Sequence, residues 1–294
     1  MRRGGIRLIV AWKEAHMSQR FLLESDVPYG NGDPFLLDLI RPETSATPRP
    51  AVVYIHGGGW AFGHRASGIV PSLLLARAGF VAATISYRFS DVARFPAQIH
   101  DVKAAIRFLR ANADRFGIDP DRIGTWGHSA GGHLAALTAL HGDLPDLEGP
   151  NDDPAVSSRV QAVVQLSGPC DFTVPFHTID GAPKVDEAAV RMLGGDPLAH
   201  PDVARRASPT QRTQPGDAPM LILHGTQDDV VSFDQAEMLL RAGQVAGNEI
   251  ALMPLEGVGH DVPPLFSPHT PDPHGAREAV VAFFTRHLGP VPPL

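Results

Sequence analysis

The 294-residue sequence contains one cysteine, Cys170, which excludes an internal disulfide framework. That thiol follows "LSGP" with no thiol-protease signature around it, and it reads as a packing residue. No apolar stretch approaches the roughly 18 residues of a spanning helix, so no membrane span is expected. Charged residues make up only 19% of the chain, with both signs interspersed and a formal net charge of −7. This balance lacks the basic stripe of a nucleic-acid binder and the polybasic cluster of a membrane-surface protein. A leader is equally hard to find. Arg2 and Arg3 precede an apolar patch, but Arg7 interrupts it, Lys13 and Glu14 close it, and no small-residue cleavage site follows. Residues 1–26 therefore read as an N-terminal extension, with Met17 an alternative to Met1 as the start, and the location as cytoplasmic.

What the chain does have is apolar sequence in short, β-branched runs. "AVVYI" (51–55), "FVAATISY" (80–87), "RIGTWG" (122–127), "VQAVVQLS" (160–167), "MLILHG" (220–225) and "EIALMPL" (249–255) have the length and Gly/Pro/Asp boundaries of buried strands. Helical patterns separate them. Over 96–117, Ile99, Val102, Ile106 and Leu109 fall on one stripe, and Gly117 supplies a stop. Segments 131–141, 232–245 and 275–288 behave similarly. Strands alternating with helices predict an α/β fold, a mostly parallel sheet with helices on both faces. "FLLESDVPYG" and "PFLLDLIRP" suggest an antiparallel pair ahead of it. Residues 171–218, rich in Pro, Asp and Ala, break the rhythm and read as a small lid-like insertion with short helices, such as 184–194.

Chemistry concentrates in "GHSAGG", Gly127–Gly132, between a strand and a helix. G-x-S-x-G in that context is a nucleophile elbow, a turn so tight that Ser129 protrudes with its hydroxyl exposed. Side chains at Gly127 and Gly131 would collide with neighbouring backbone. A serine hydroxyl needs a base, and the base needs a carboxylate to orient it. Downstream, "LILHGTQDDVV" ends a strand with Asp228 and Asp229 in its turn, and "LEGVGHDV" ends the next with His260. His260 is favoured by this position over His269, His274 and His287, with Gly257 and Gly259 making its loop compact. His128 and His133 flank the elbow without metal-ligand spacing, so no metal site is expected.

Three glycines after "AVVYI" also call for a reason, because bare backbone carries an entropic cost. In acyl transfer the carbonyl oxygen becomes an oxyanion that needs fixed donors. The amides of Gly58 and Gly59 would supply two and that of Ala130 a third. His56 reads as a structural support of this loop. Trp60 is the aromatic expected to touch substrate. Phe62, Phe89, Phe95, Phe172 and Phe176 can line an apolar pocket or belong to plain core.

"HGGGW", "YRFSDVARFPAQIHDVKAAIRFLRANADRFGIDPDRIGTWGHSAGGHLAAL" and "HGTQDDVV" together resemble the bacterial α/β-hydrolase esterases. Their nearest likeness is the feruloyl-esterase-like branch, close to the hormone-sensitive-lipase-like carboxylesterases. The resemblance runs from about Val27 to Leu288 and implies one α/β-hydrolase domain over 27–294 with a short lid. It implies Ser129 as nucleophile, Asp228 rather than Asp229 as the carboxylate, and His260 as base. One departure is His128, where hormone-sensitive-lipase-like enzymes usually carry an acidic residue; this favours the feruloyl-esterase-like branch.

The function expected is a serine carboxylesterase acting on small-molecule acyl or aryl esters, with no metal or organic cofactor. Feruloyl or acetyl esters on carbohydrate, and a kynurenine-formamidase-like amidase activity, are the alternatives within the enzyme class. A non-catalytic binding protein on the same fold is the reading outside it. Composition sets no oligomeric state, and a homo-oligomer is compatible with it.

Overall fold

The computed structural model describes residues 7–291 apart from 15, 16, 33, 46, 142, 143, 151, 152, 154, 180 and 181. Its strands are β1 (Arg7–Glu14), β2 (Met17–Pro28), β3 (Leu36–Pro42), β4 (Arg49–Ile55), β5 (Val81–Ile85), β6 (Ile118–His128), β7 (Ala162–Leu166), β8 (His177–Ile179), β9 (Ala182–Lys184), β10 (Met220–Gly225) and β11 (Ile250–Leu255). The α-helices are α1 (Ile69–Arg77), α2 (Ala97–Ala111), α3 (Ala113–Phe116), α4 (Ala130–Ala139), α5 (Pro145–Glu148), α6 (Glu187–Leu193), α7 (Pro201–Ala207), α8 (Pro209–Arg212), α9 (Asp234–Val245) and α10 (Ala276–Leu288).

Nine strands form one sheet in the order β1-β2-β3-β5-β4-β6-β7-β10-β11. From β5 to β11 the neighbours are parallel, and β1, β2 and β3 continue the sheet antiparallel. This is the α/β-hydrolase fold. The central strands β4, β5, β7 and β10 are buried along their whole length, which is why they read as unbroken apolar runs. Alternate residues of β4 serve opposite faces. Ala51, Val53 and Ile55 pack with α2, α4 and α9, while Val52 and Tyr54 pack with α1 and α10.

Helix α2 buries the stripe Ile99, Val102, Ile106 and Leu109. It ends sooner than the pattern over 96–117 suggests, because the Asn112 side chain donates to the Phe108 carbonyl at 2.8 Å. A separate turn, α3, then closes at Gly117 in the left-handed region at φ 68°.

Of residues 1–26, positions 1–6, 15 and 16 lie outside the described residues, Met1 among them. The others form β1 and most of β2, which continues through position 26 into residues 27 and 28. Across 171–218 the chain carries the antiparallel pair β8–β9 and helices α6, α7 and α8. Helix α6 starts where the Asp186 carboxylate accepts from the Ala189 amide at 3.0 Å, and the Phe95 amide donates to the Met192 carbonyl near its end. This stretch is thereby docked on the segment that follows β5.

Candidate active site

Parallel strands deliver their following loops to one sheet edge, and four of those loops meet here. At the end of the central strand β6, Ser129 turns the chain from strand to helix at φ 55° and ψ −121°. Non-glycine residues avoid that region at a cost of order 1–3 kcal/mol. A Cβ on Gly127 would lie 2.3 Å from the Gly131 carbonyl oxygen, and one on Gly131 would lie 2.0 Å from that of Ile55. The elbow therefore exists only with glycine at both places. The Ser129 amide donates to the Leu166 carbonyl at 2.8 Å, bracing the turn on β7.

The loop after β11 brings His260 Nε2 to 2.9 Å from Ser129 Oγ. Its Nδ1 lies 2.8 Å and 3.0 Å from the two carboxylate oxygens of Asp228, on the loop after β10. The hydrogen belongs on Nδ1, which leaves the Nε2 lone pair facing the serine hydroxyl. Asp228 Oδ1 also accepts from the Val230 and Val231 amides, at 3.0 and 2.8 Å. Burial opposes the Asp228 charge, but hydrogen bonds from His224, His260 and the Val231 amide together hold its carboxyl well below the usual range. Asp229 is exposed. His269 lies in a groove against α1 and α10, on the other face of the sheet.

The loop after β4 folds back over the elbow. Gly58 and Gly59 take φ 113° and 55°, and a Cβ on Gly58 would lie 2.1 Å from the Phe62 carbonyl oxygen. A Cβ on Gly57 would approach Ser129 Cβ to 3.2 Å, so this backbone packs directly on Ser129. Among the described residues, the amides of Gly58, Gly59 and Ala130 have no hydrogen-bond acceptor. These are the three amides that the sequence names as candidate oxyanion donors, and Ala130 directly follows Ser129. The insertion borders it, since a Cβ on Gly59 would lie 3.1 Å from Ala188 Cβ of α6.

Trp60, the aromatic expected to touch substrate, is only 2% exposed. Its Nε1–H donates to His133 Nδ1 at 3.2 Å, its ring packs against Phe172, and its carbonyl accepts from the Ser90 amide at 2.7 Å. A large aromatic whose N–H finds a buried acceptor is more stable inside than lining a wet mouth. Trp60 thus supports the glycine loop from behind. Phe95, Phe172 and Phe176 are core as well, whereas Phe62 is 69% exposed.

Histidines supply most of the remaining support. His56 donates from Nδ1 to the Gly57 carbonyl at 2.7 Å and stacks on Tyr87, and burial pushes it down to about 4. It holds the loop, as expected. His128 donates from Nε2 to the His260 carbonyl at 2.8 Å; burial, then the neighbouring His260, push it down to about 4. His133, also pushed down to about 4 by burial, donates from Nε2 to the Ala207 carbonyl of α7 at 2.8 Å. The supporting roles of His128, His133 and His224 escape a sequence reading focused on catalysis. A usable signal was present: each lies within or beside an apolar run, where an unpaired imidazole is costly.

A family model described as BD-FAE matches residues 37–242. The chain belongs to the BD-FAE family. Among curated relatives, this BD-FAE chain is similar to "Esterase LipC" of Mycobacterium tuberculosis (strain ATCC 25618 / H37Rv), with 35% identity over 82% of this chain and 60% of that protein. The chain spans between half and three fifths of the length of the first curated relatives it matches. Among solved structures, a truncated carbohydrate esterase from gut microbiota superposes with a TM-score of 0.79 at 32% identity, covering 90% of this chain and 95% of that one. Esterase Est2 of the Planctomycetes species Thermogutta terrifontis gives 0.73 at 29% identity, over 92% and 94% of the two chains. That esterase has also been solved phosphonylated by sarin.

Proposed function

We propose that this BD-FAE chain is a serine carboxylesterase that hydrolyses small acyl or aryl esters through an acyl-enzyme. The observation that carries the reading is the unbroken relay Ser129 Oγ, His260, Asp228, set beside three unpaired amides. Ser129 Oγ attacks the ester carbonyl while His260 Nε2 takes its proton. The carbonyl oxygen gains a negative charge, which the Gly58, Gly59 and Ala130 amides stabilise. Asp228 stays ionised and holds the imidazolium in place. As the tetrahedral intermediate collapses, the bond to the leaving alcohol breaks and His260 returns the proton to that oxygen. Water, deprotonated by the same His260, then attacks the acyl-enzyme; the acid leaves and Ser129 regains its hydrogen. No step calls on a metal or organic cofactor.

The partner in this reading is a small-molecule ester. The named activity of the relatives supports it, as does the phosphonylated form of Est2, since organophosphonates react with activated serines. Among the described residues no helix is long and apolar enough to cross a membrane. A reducing, cytoplasmic setting agrees with the single buried thiol of Cys170, which burial pushes up and makes unreactive.

Hydrolysis of nitrophenyl esters from acetate to laurate, with methyl ferulate beside them, tests the proposal. Wild type should turn over the short or aryl esters, and Ser129→Ala should lose up to about a millionfold in kcat. A wild type inactive on all of these esters, or equal rates in the two proteins, would reject it.

A further inference from the structure

His224 closes β10 in the run "MLILHG" and is completely buried, yet none of the proposed chemical steps uses it. Its Nε2 lies 2.8 Å from the Val231 carbonyl oxygen and 3.3 Å from Asp228 Oδ2. Its Nδ1 is buried and has no hydrogen-bond partner among the described residues. With two acceptors facing Nε2 and no group facing Nδ1, the ring hydrogen belongs on Nε2. A leucine or phenylalanine here would fill the space without leaving a buried nitrogen orphaned. What the imidazole adds is one N–H, placed where it closes a circuit. His224 Nε2–H donates to the Val231 carbonyl, the Val231 amide donates to Asp228 Oδ1 at 2.8 Å, and Asp228 Oδ2 faces the same Nε2. The ring of Phe233 holds the imidazole edge-on, with centroids 5.8 Å apart.

We propose that His224 is a positioning residue of the hydrolytic site, which fixes the turn from 224 to 231 so that both oxygens of Asp228 are set for His260. This rests on the esterase reading above. Asp228 can hold the imidazole of His260 through the reaction only if its carboxylate does not rotate or withdraw. Two backbone amides restrain Oδ1, and the N–H dipole of His224 is the buried restraint that faces Oδ2. A misplacement of about 1 Å in such a relay can cost on the order of a hundredfold in rate.

The test compares His224→Phe, which keeps the bulk and removes the donor, with His224→Gln, whose terminal amide places an N–H at similar reach. Hydrolysis of a nitrophenyl ester gives kcat and KM. Labelling of Ser129 by a fluorophosphonate reads the same relay without an ester. The Phe variant should lose roughly 30- to 100-fold in kcat and in labelling rate with KM within about twofold, and the Gln variant should recover most of that loss. In an Asp228→Asn background the Phe change should add little, because a residue acting through Asp228 has nothing left to act on. If the Phe variant does not fold, His224→Asn, too short to reach Val231, takes its place. Unchanged kcat in the donor-free variant, no recovery with Gln, or full additivity with Asp228→Asn overturns the role of His224. A wild type that labels but hydrolyses no ester rejects the esterase reading alone, and one that does neither removes both.

Discussion

Trp60 donates its indole hydrogen to His133 Nδ1 across 3.2 Å, tying the loop that carries Gly58 and Gly59 to the helix that follows Ser129. His133 passes the restraint on, since its other nitrogen donates to Ala207 in the insertion. The glycine loop, the helix α4 and residue 207 of α7 are therefore one hydrogen-bonded unit. Trp60 itself sits at φ 54°, a strained position for a bulky residue, which this unit holds in place.

Replacing Trp60 with Phe keeps most of the buried ring and removes the donor. His133 Nδ1 is then left buried and unpaired, which costs about 1–3 kcal/mol. The glycine loop loses one tether, so kcat should fall by roughly tenfold, less than the about 100- to 1,000-fold that loss of an oxyanion donor can cost. KM should change less, because Trp60 is only 2% exposed. Steady-state kinetics with urea denaturation of both proteins reads the two effects separately. A large rise in KM with kcat intact would return Trp60 to the substrate surface.

Glycine substitutions separate steric need from conformational need. Gly131→Ala places a methyl group 2.0 Å from the Ile55 carbonyl oxygen, with no flexible side chain to yield. It should destabilise the protein by at least about 3 kcal/mol and abolish turnover together with the elbow. Gly216, at φ 89°, has no atom within 4 Å of the place its Cβ would take, so Gly216→Ala should cost only the left-handed penalty of about 1–2 kcal/mol. Thermal and urea unfolding of the pair gives the comparison, and equal losses would contradict the elbow geometry.

Three buried histidines make stability depend on pH. His56, His128 and His133 are each held at about 4 in the folded state, chiefly by burial, against an ordinary value of 6.5. Between those values the unfolded chain binds protons that the folded chain does not. Stability is therefore complete above about pH 6.5, falls as the pH drops towards 4, and stops falling on their account below that. Urea midpoints should hold from pH 7.5 to about 6.5 and then decline down to 4.5, and a flat profile over the whole range would show that the three rings are not held below their ordinary value in the folded protein.

Much of the fold is written in local pattern. The runs at 51–55 and 220–225 become β4 and β10, and the stripe from Ile99 to Leu109 becomes the buried face of α2. Such signals depend on neighbours within a few positions, so side-chain chemistry alone carries them. The elbow is legible for the same reason: Gly127, Ser129 and Gly131 lie within five residues, and their spacing is the turn. At the sheet's far edge the apolar run at 8–12, flanked by Arg7 and by Lys13 and Glu14, reads as part of an N-terminal extension, yet Arg7–Glu14 pairs with β2.

Residue order thus carries the strand and helix periods, the elbow that needs two glycines, and the succession of Ser129, Asp228 and His260 along the chain. Which way Trp60 faces, and which histidines become braces, emerges only on folding. Trp60 and His133 are 73 positions apart, and His128 meets the His260 carbonyl across 132. No local pattern encodes these pairs. They form because parallel strands bring distant loops to one sheet edge, where each buried imidazole and indole must find its partner within about 3 Å or bear the cost of desolvation.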